Sequence, residues 1–238
     1  VEFLPRFLAV GKTRELNDLP ILVHETLLPY QQESLEMAGI AAERLIKLEY
    51  PACYQFQEVI VPFFPKDSPQ VFPKNSPPVP EDIRSSKAAI AWARTLVPDH
   101  REGRRKLFIS RRDSKRRKVV NEDFLASSLK DRGFEICLLE GMSFSAQMEL
   151  FSQAEVIVAA HGAGLGNLVF APDHCRVIEI APSVARTYVG VLAGIRGLKH
   201  YRVSCRNHVT EYCPPIFMDY YLTDQSIRKT HEILDMPL

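Results

Sequence analysis

His161 stands where an apolar run stops and a glycine run begins, in Val156-Ile157-Val158-Ala159-Ala160-His161-Gly162-Ala163-Gly164-Leu165-Gly166. Glycines at alternate positions after a strand let backbone N–H groups come close to a ligand at the start of a helix, an arrangement that receives anions. An imidazole at that point can donate a hydrogen bond to a phosphoryl oxygen or move a proton. Asn167 occupies the place where a dinucleotide fingerprint needs its third glycine, so NAD is a poor fit, and the G-x-x-x-x-G-K-[ST] loop is absent. The same glycines also serve a tight structural turn without a ligand. Glu179 follows one strand later, near the C-terminal end of 176–180, where an acid would take ribose hydroxyls; a surface acid at a strand end has the same appearance in sequence.

The second chemical feature is cationic. Residues 101–118 hold ten Lys and Arg against Glu102 and Asp113, a local charge of +8 in a chain of net charge +1, so the remainder is net negative. Within that stretch Ser110-Arg111-Arg112-Asp113-Ser114-Lys115-Arg116-Arg117-Lys118 begins as an apolar strand ends. Arg111 is then at the same edge of a sheet as His161. Guanidinium groups bond phosphate oxygens in pairs and keep their charge at any working pH, which selects Arg111 and Arg117 as candidates. A solvated loop is the bland alternative. Nucleic acid is disfavoured because no aromatic residue interleaves 110–120 to stack on bases.

These residues need a sheet to bring them together. Strands are expected at 106–110, 134–139, 156–159, 176–180 and 201–204, alternating with helices at 81–97, 121–131, 143–153, 185–197 and, last, 223–234. That alternation predicts an α/β fold, a Rossmann-like parallel sheet with helices on both faces. In open sheets of this kind the ligand lies beyond the carboxyl ends of the strands, so the glycine turn, Arg111 and Glu179 are expected to face one crevice. The first third reads as a smaller β-α-β-β layer, with strands at 20–24, 44–48 and 56–61 and a helix at 30–38 that has Pro29 in its first turn and Gly39 after it. Seven prolines between 62 and 80 tolerate neither helix nor central strand and mark a linker. The expected domains are 1–79, a partial layer with the linker, and 80–238, which carries the crevice.

Length and apolar content suit an ordinary soluble chain, and no apolar run reaches the ~20 residues of a bilayer span. Five cysteines without CxxC spacing argue against a disulfide framework and a zinc site; Cys205, His208 and Cys213 lack a fourth ligand. A reducing cytoplasm fits such thiols most easily, free or peripheral to a membrane, with the Golgi or ER lumen as the setting for a eukaryotic fragment. No two aspartates form an Asp-x-Asp pair, so neither a divalent metal nor any other cofactor is expected.

Ser110-Arg111, Arg117, Val119-Val120-Asn121-Glu122, Phe144, Gln147, His161-Gly162-Ala163-Gly164-Leu165 and Glu179, in this order, resemble glycosyltransferase family 61. The resemblance is strongest over 107–180 and fainter over 22–61, where it implies that 1–79 is an incomplete acceptor-side domain and 80–238 the nucleotide-sugar-binding one. It implies an inverting, sugar-nucleotide-dependent enzyme of GT-B fold, of a kind whose bacterial members are labelled capsular polysaccharide biosynthesis proteins. By that resemblance Ser110, Arg111, Arg117, Asn121, His161, Gly162, Ala163, Gly164, Leu165 and Glu179 hold the nucleotide-sugar, UDP-linked, and Arg111, Arg117 and His161 stabilise the departing diphosphate. The partners expected are that donor and a glycan or other hydroxyl acceptor. The base has no match in the pattern; His24 and Glu25, at the end of a first-layer strand, are its candidates. The alternatives are a binding module that uses the same pocket without turnover and, less favoured, an NAD-dependent enzyme.

Overall fold

A computed structural model of the chain describes residues 16–60, 87–97, 104–182, 188–209 and 218–237. On the N-terminal side, β1 (Ile21–His24), α1 (Pro29–Met37) and β2 (Leu45–Leu48) form a β-α-β unit whose two strands pair in parallel. Pro29 opens the helix and Gly39, at φ 78°, follows its end, as expected of these residues. The strand expected at 56–61 does not form: residues 52–60 are irregular apart from a bend, and Phe56, Val59 and Ile60 are exposed, with Phe56 stacked on Tyr54. A strand there would have needed a buried face, and the sequence has given it nothing to cover. The proline linker and residues 81–86 lie outside the described residues.

The rest is one six-stranded sheet. Its elements are α2 (Lys87–Arg94), β3 (Arg105–Ser110), α3 (Glu122–Lys130), β4 (Phe134–Leu138), α4 (Phe144–Ser152), β5 (Ala154–Ala160), a 3-10 helix (Ala163–Phe170), β6 (Arg176–Pro182), α5 (Tyr188–Arg196), β7 (Lys199–His208), β8 (Asp219–Tyr221) and α6 (Asp224–Leu234). The order across the sheet is β4-β3-β5-β6-β7-β8, parallel except for β8. The short strand β8 had no signal in the sequence, whereas the other strands and helices fall where apolar periodicity places them, with ends shifted by a few residues. The beginning of the expected helix at 185–187 and Cys213 lie outside the described residues.

The alternation of side chains divides the core into two. Leu107, Ile109, Ile157, Ala159 and Val177 face α2, α4, α5 and the 3-10 helix. Phe108, Val156, Val158, Ala160, Ile178 and Ile180 face α3 and α6. Strands buried on both faces require the unbroken apolar runs seen in the sequence, and each fully buried Leu, Ile or Val contributes about 1.5–3 kcal/mol. The N-terminal unit docks on this sheet. Trp92 packs against the larger core and against the Leu35–Ile40 cluster, and Glu33 accepts hydrogen bonds at the N-terminus of α4 from Phe144 N–H, from Ser145 N–H at 3.0 Å and from Ser145 Oγ at 2.5 Å.

Candidate active site

Counted from β3, the five parallel strands stand in the order 2-1-3-4-5, so the connections reverse direction between β3 and β5. A crevice opens outside the carboxyl ends of the strands at such a switch point. A cleft of about 100 Å³ lies there, lined among others by Ser110, Arg111, Ser114, Glu140, Gly164 and Leu165. Four of the residues selected from sequence (Ser110, Arg111, Gly164 and Leu165) therefore share one cleft, put there by the strand ends, whereas Arg117, Asn121, His161, Gly162, Ala163 and Glu179 do not line it.

The basic loop is held from both ends. Buried Glu122, first residue of α3, accepts Ser110 Oγ at 2.5 Å, Arg111 N–H at 3.2 Å and Arg112 Nε at 3.2 Å. Ser110 is thus engaged by the protein rather than offered to a ligand. At the far end Lys118 N–H donates to Asp219 Oδ1 at 2.8 Å, and the backbone of Lys118 and Val120 pairs with Tyr220 of β8. Asn121, expected to touch the ligand, instead pairs its amide with the backbone of Leu222, donating at 2.8 Å and accepting at 2.9 Å. Both of its hydrogen-bonding functions serve to fasten the loop to the far edge of the sheet.

Inside this loop the two selected arginines differ. Arg111 donates from Nε to Arg117 O and from Nη2 to Arg116 O, each at 3.1 Å, and its Nη1 lies over Gly162. Burial and the charge of Arg117 push its guanidinium below the ordinary value. Arg117 has positive φ (58°), and its buried Nε has no hydrogen-bond partner. Two cations that destabilise one another, one with an orphaned buried N–H, make a place that an anion relieves.

Beside them His161 extends the β5 ladder by one bond, its N–H donating to Ile180 O at 2.8 Å. The turn that follows is a 3-10 helix rather than the α-helix expected after Gly164. Its first bond runs from Leu165 N–H to Gly162 O, so the N–H groups of Ala163 and Gly164 head the turn. The 3-10 form follows from burial of Leu165, Gly166, Leu168, Val169 and Phe170, which packs the segment against the sheet on consecutive positions. Gln147 and Asn167 hold it: Asn167 Nδ2 donates to Gln147 Oε1 at 2.8 Å.

Glu179 does not face the crevice. It is 1% exposed, and its oxygens meet His161 Nδ1 at 2.5 Å and His200 Nε2 at 3.0 Å. Register explains this: Glu179 stands opposite Ala159 on the face covered by α5, and His161 and His200 lie diagonally on that same face. The side chain of an interior strand position points into a layer, not off the strand end. Burial alone would raise its carboxyl, but hydrogen bonds from His161 and His200 hold it down at about 2. A ribose role for Glu179 is thereby corrected to an internal one.

Sequence reasoning missed His200 and Tyr188. Tyr188 donates its hydroxyl to Gly162 O and sets its ring edge against His161, centroids 5.0 Å apart; burial and Glu179 raise its phenol above the ordinary value. Both residues lack a motif. His200 was findable only through register, as a polar residue on the inward face of a strand. The candidate bases are placed elsewhere: His24 Nδ1 accepts Thr26 N–H at 3.1 Å and contacts its hydroxyl at 2.7 Å, so its lone pair is occupied, and neither His24 nor Glu25 lines the cleft. Among the described residues no group of three His, Cys, Asp or Glu is placed to hold a metal, and no helix is long and apolar enough to cross a membrane.

Comparison with known proteins adds an independent line. Residues 1–178 match the family model described as Glycosyltransferase 61. Alpha-1,3-arabinosyltransferase XAT3 of Oryza sativa subsp. japonica is 29% identical over 152 residues, 60% of this chain and 24% of the relative. Beta-1,2-xylosyltransferase XYXT1 of the same plant is 37% identical over 79 residues, 33% of this chain and 17% of the relative. The EGF domain-specific O-linked N-acetylglucosamine transferase of Mus musculus is 29% identical over 106 residues, 42% and 20% of the two chains. The chain spans about a quarter or less of the length of these curated relatives. With the family model covering most of its residues, the chain belongs to the glycosyltransferase 61 family.

Proposed function

We propose that the chain is the donor-binding part, with a piece of the acceptor side, of an inverting glycosyltransferase of GT-B arrangement. It takes a nucleotide-sugar, UDP-linked, and passes the sugar to a hydroxyl of a glycan or similar acceptor. The observation that carries this reading is Arg111 in the switch-point cleft with Gly164 and Leu165, its Nη1 over Gly162 and its Nε on Arg117 O, beside a buried Arg117 Nε that has no hydrogen-bond partner. The names of the relatives, which transfer arabinose, xylose and N-acetylglucosamine, favour a pentose or N-acetylhexosamine donor.

As the anomeric bond breaks, its electron pair stays on the diphosphate and the leaving group gains charge. Arg117, Arg111 Nη1, the N–H groups of Ala163 and Gly164 and His161 Nε2 are the donors for that charge. Donors fixed in advance by the protein do not reorganise during the reaction, which is what two arginines contribute here in place of a metal. The acceptor would enter from the side of residues 16–60, within the 1–79 unit, and meet the sugar projecting from the 80–238 unit.

A thermal-shift series with UDP-, GDP-, CMP- and dTDP-sugars and NAD tests the reading, because a ligand of the native state raises its melting temperature. UDP-sugars alone should shift it; a shift with NAD and none with nucleotide-sugars would end the proposal. A second reading, binding without turnover, is favoured by one observation: neither His24 nor Glu25 lines the cleft. A UDP-sugar shift with no transfer or hydrolysis would select that reading. Activity abolished by EDTA and restored by manganese would overturn the metal-free mechanism.

A further inference from the structure

Glu179 is the most buried acid near the cleft, and its immediate partners are two imidazoles on two other strands. His161 lies at the end of β5, Glu179 on β6 and His200 on β7, at 2.5 Å and 3.0 Å from separate carboxylate oxygens. A carboxylate accepts hydrogen bonds, so His161 must present Nδ1–H and His200 Nε2–H. Whatever the charge state, Nδ1 of His161 is committed, and Nε2 is the nitrogen left for a ligand. With His161 neutral that nitrogen is a lone pair, which repels a phosphoryl oxygen; with one added proton it is a donor. His200 competes for the same proton through the other oxygen. Tyr188 on α5 packs on the His161 ring, Arg111 on the loop after β3 lies over the adjoining Gly162, and Arg117 and Tyr220 of β8 act on Tyr188 in turn. The arginines oppose a charge on the ring, and Glu179 is the acid that offsets them.

We propose that Glu179 and His200 are positioning residues for His161: Glu179 fixes its tautomer and favours the form that presents Nε2–H to the leaving diphosphate, and His200, on the other carboxylate oxygen, competes for the same proton and so limits that form. The inference rests on the reading of His161 as a diphosphate donor, and no proton has to be transferred in it. His200 makes the arrangement more than a simple pair. Its ring packs at ordinary contact distance from the position a Cβ on Gly190 would take, 3.5 Å, and is half-buried, so it can exchange a proton that the sealed carboxylate cannot.

The test uses the full chain, labelled with 15N and without nucleotide, and follows the ring nitrogens of the histidines by NMR across pH. In the wild type, His161 Nδ1 should stay protonated throughout while Nε2 titrates, in two steps shared with His200. His200→Gln keeps a donor for Glu179 but takes up no proton, so the His161 step should move to higher pH. Glu179→Gln removes the charge and should move it to lower pH. Opposite displacements are expected, whereas a merely structural role would change only the melting temperature. A bare Nδ1 in the wild type, or a His161 step that stays in place in His200→Gln, would overturn the proposal even if Glu179→Gln failed to fold. Calorimetry with UDP over the same pH range separates this from the function proposed above. Binding that weakens as the His161 step is passed supports both, and no binding at any pH sinks the functional reading while the ring titration still decides the triad.

Discussion

Gly162 has an extended backbone, φ 172°, that any residue adopts, so what it supplies is space. A Cβ there would lie 2.2 Å from Arg111 Nη1, and Arg111 cannot withdraw without giving up its bonds to Arg116 O and Arg117 O. Gly164 differs: its Cβ would meet only the tip of Leu139, at 2.7 Å, which can turn aside. We expect Gly162→Ala to lower both UDP affinity and melting temperature, each carbonyl bond that Arg111 gives up costing about 0.5–1.5 kcal/mol, and Gly164→Ala to be nearly silent; calorimetry beside a thermal melt checks both. Arg117→Ala removes a strained cation with an orphaned N–H, so it should leave stability unchanged or raised while costing about 1.5–3 kcal/mol of nucleotide binding, the range of a charged hydrogen bond. A loss of stability equal to the loss of binding would show that Arg117 is structural. Glu179 titrates in the opposite sense to a histidine. Its folded value of about 2 lies below the ordinary 4.5, so the stability it confers is complete above about pH 4.5 and disappears as pH falls toward 2. Urea midpoints at pH 5 and pH 3 should differ less in Glu179→Gln than in the wild type.

At the scale of elements, the N-terminal unit meets the sheet's helices through Trp92 and through a borrowed cap. Ser143 caps α4 through Ala146 N–H, and Glu33 of α1 takes the N–H groups of Phe144 and Ser145 from outside. Burial raises its carboxyl and those hydrogen bonds lower it further, with a net depression. Glu33→Ala should therefore cost about 1 kcal/mol, as lost caps do, and the loss should vanish as pH falls through the folded value of the carboxyl. Denaturant titrations at neutral and acid pH measure it. Much of this scaffold was legible beforehand, because strands such as 156–160 are apolar without interruption and helices such as 143–153 carry their own cap. The position of His161 and Arg111 at one sheet edge was legible for the same reason. The inward turn of Glu179, the use of Asn121 on Leu222 and the strand β8 were not, since each depends on a partner strand that local periodicity does not specify. His200 and Tyr188 were invisible for the same cause: they become neighbours of His161 only once register is fixed.

For the whole molecule, the charge at the cleft comes from only part of the +8 stretch. Arg105 and Lys106 open β3 at its other end, where Arg105 pairs with Glu135, while 111–118, six cations against Asp113, follow the carboxyl end of β3 at the cleft and would draw the proposed anionic donor to that side. Nucleotide affinity should fall as salt rises from 50 to 500 mM, since a Debye length near 10 Å at 0.1 M shortens toward 3 Å at 1 M; an affinity indifferent to salt would place the nucleotide away from the loop. Arg176, 1% exposed, donates to the carbonyls of Ile233, Met236 and Pro237 and so pins the segment after α6 beneath the sheet. The loop's attachment to β8 joins residues 101 positions apart. A ribosome that has made β3, β5 and the glycine turn has therefore made every cationic and imidazole group assigned to the diphosphate, yet the loop that carries two of them has no far anchor until Asp219 emerges. On the function proposed above, competence to hold a nucleotide is then a late event of synthesis, acquired well after the groups assigned to it exist.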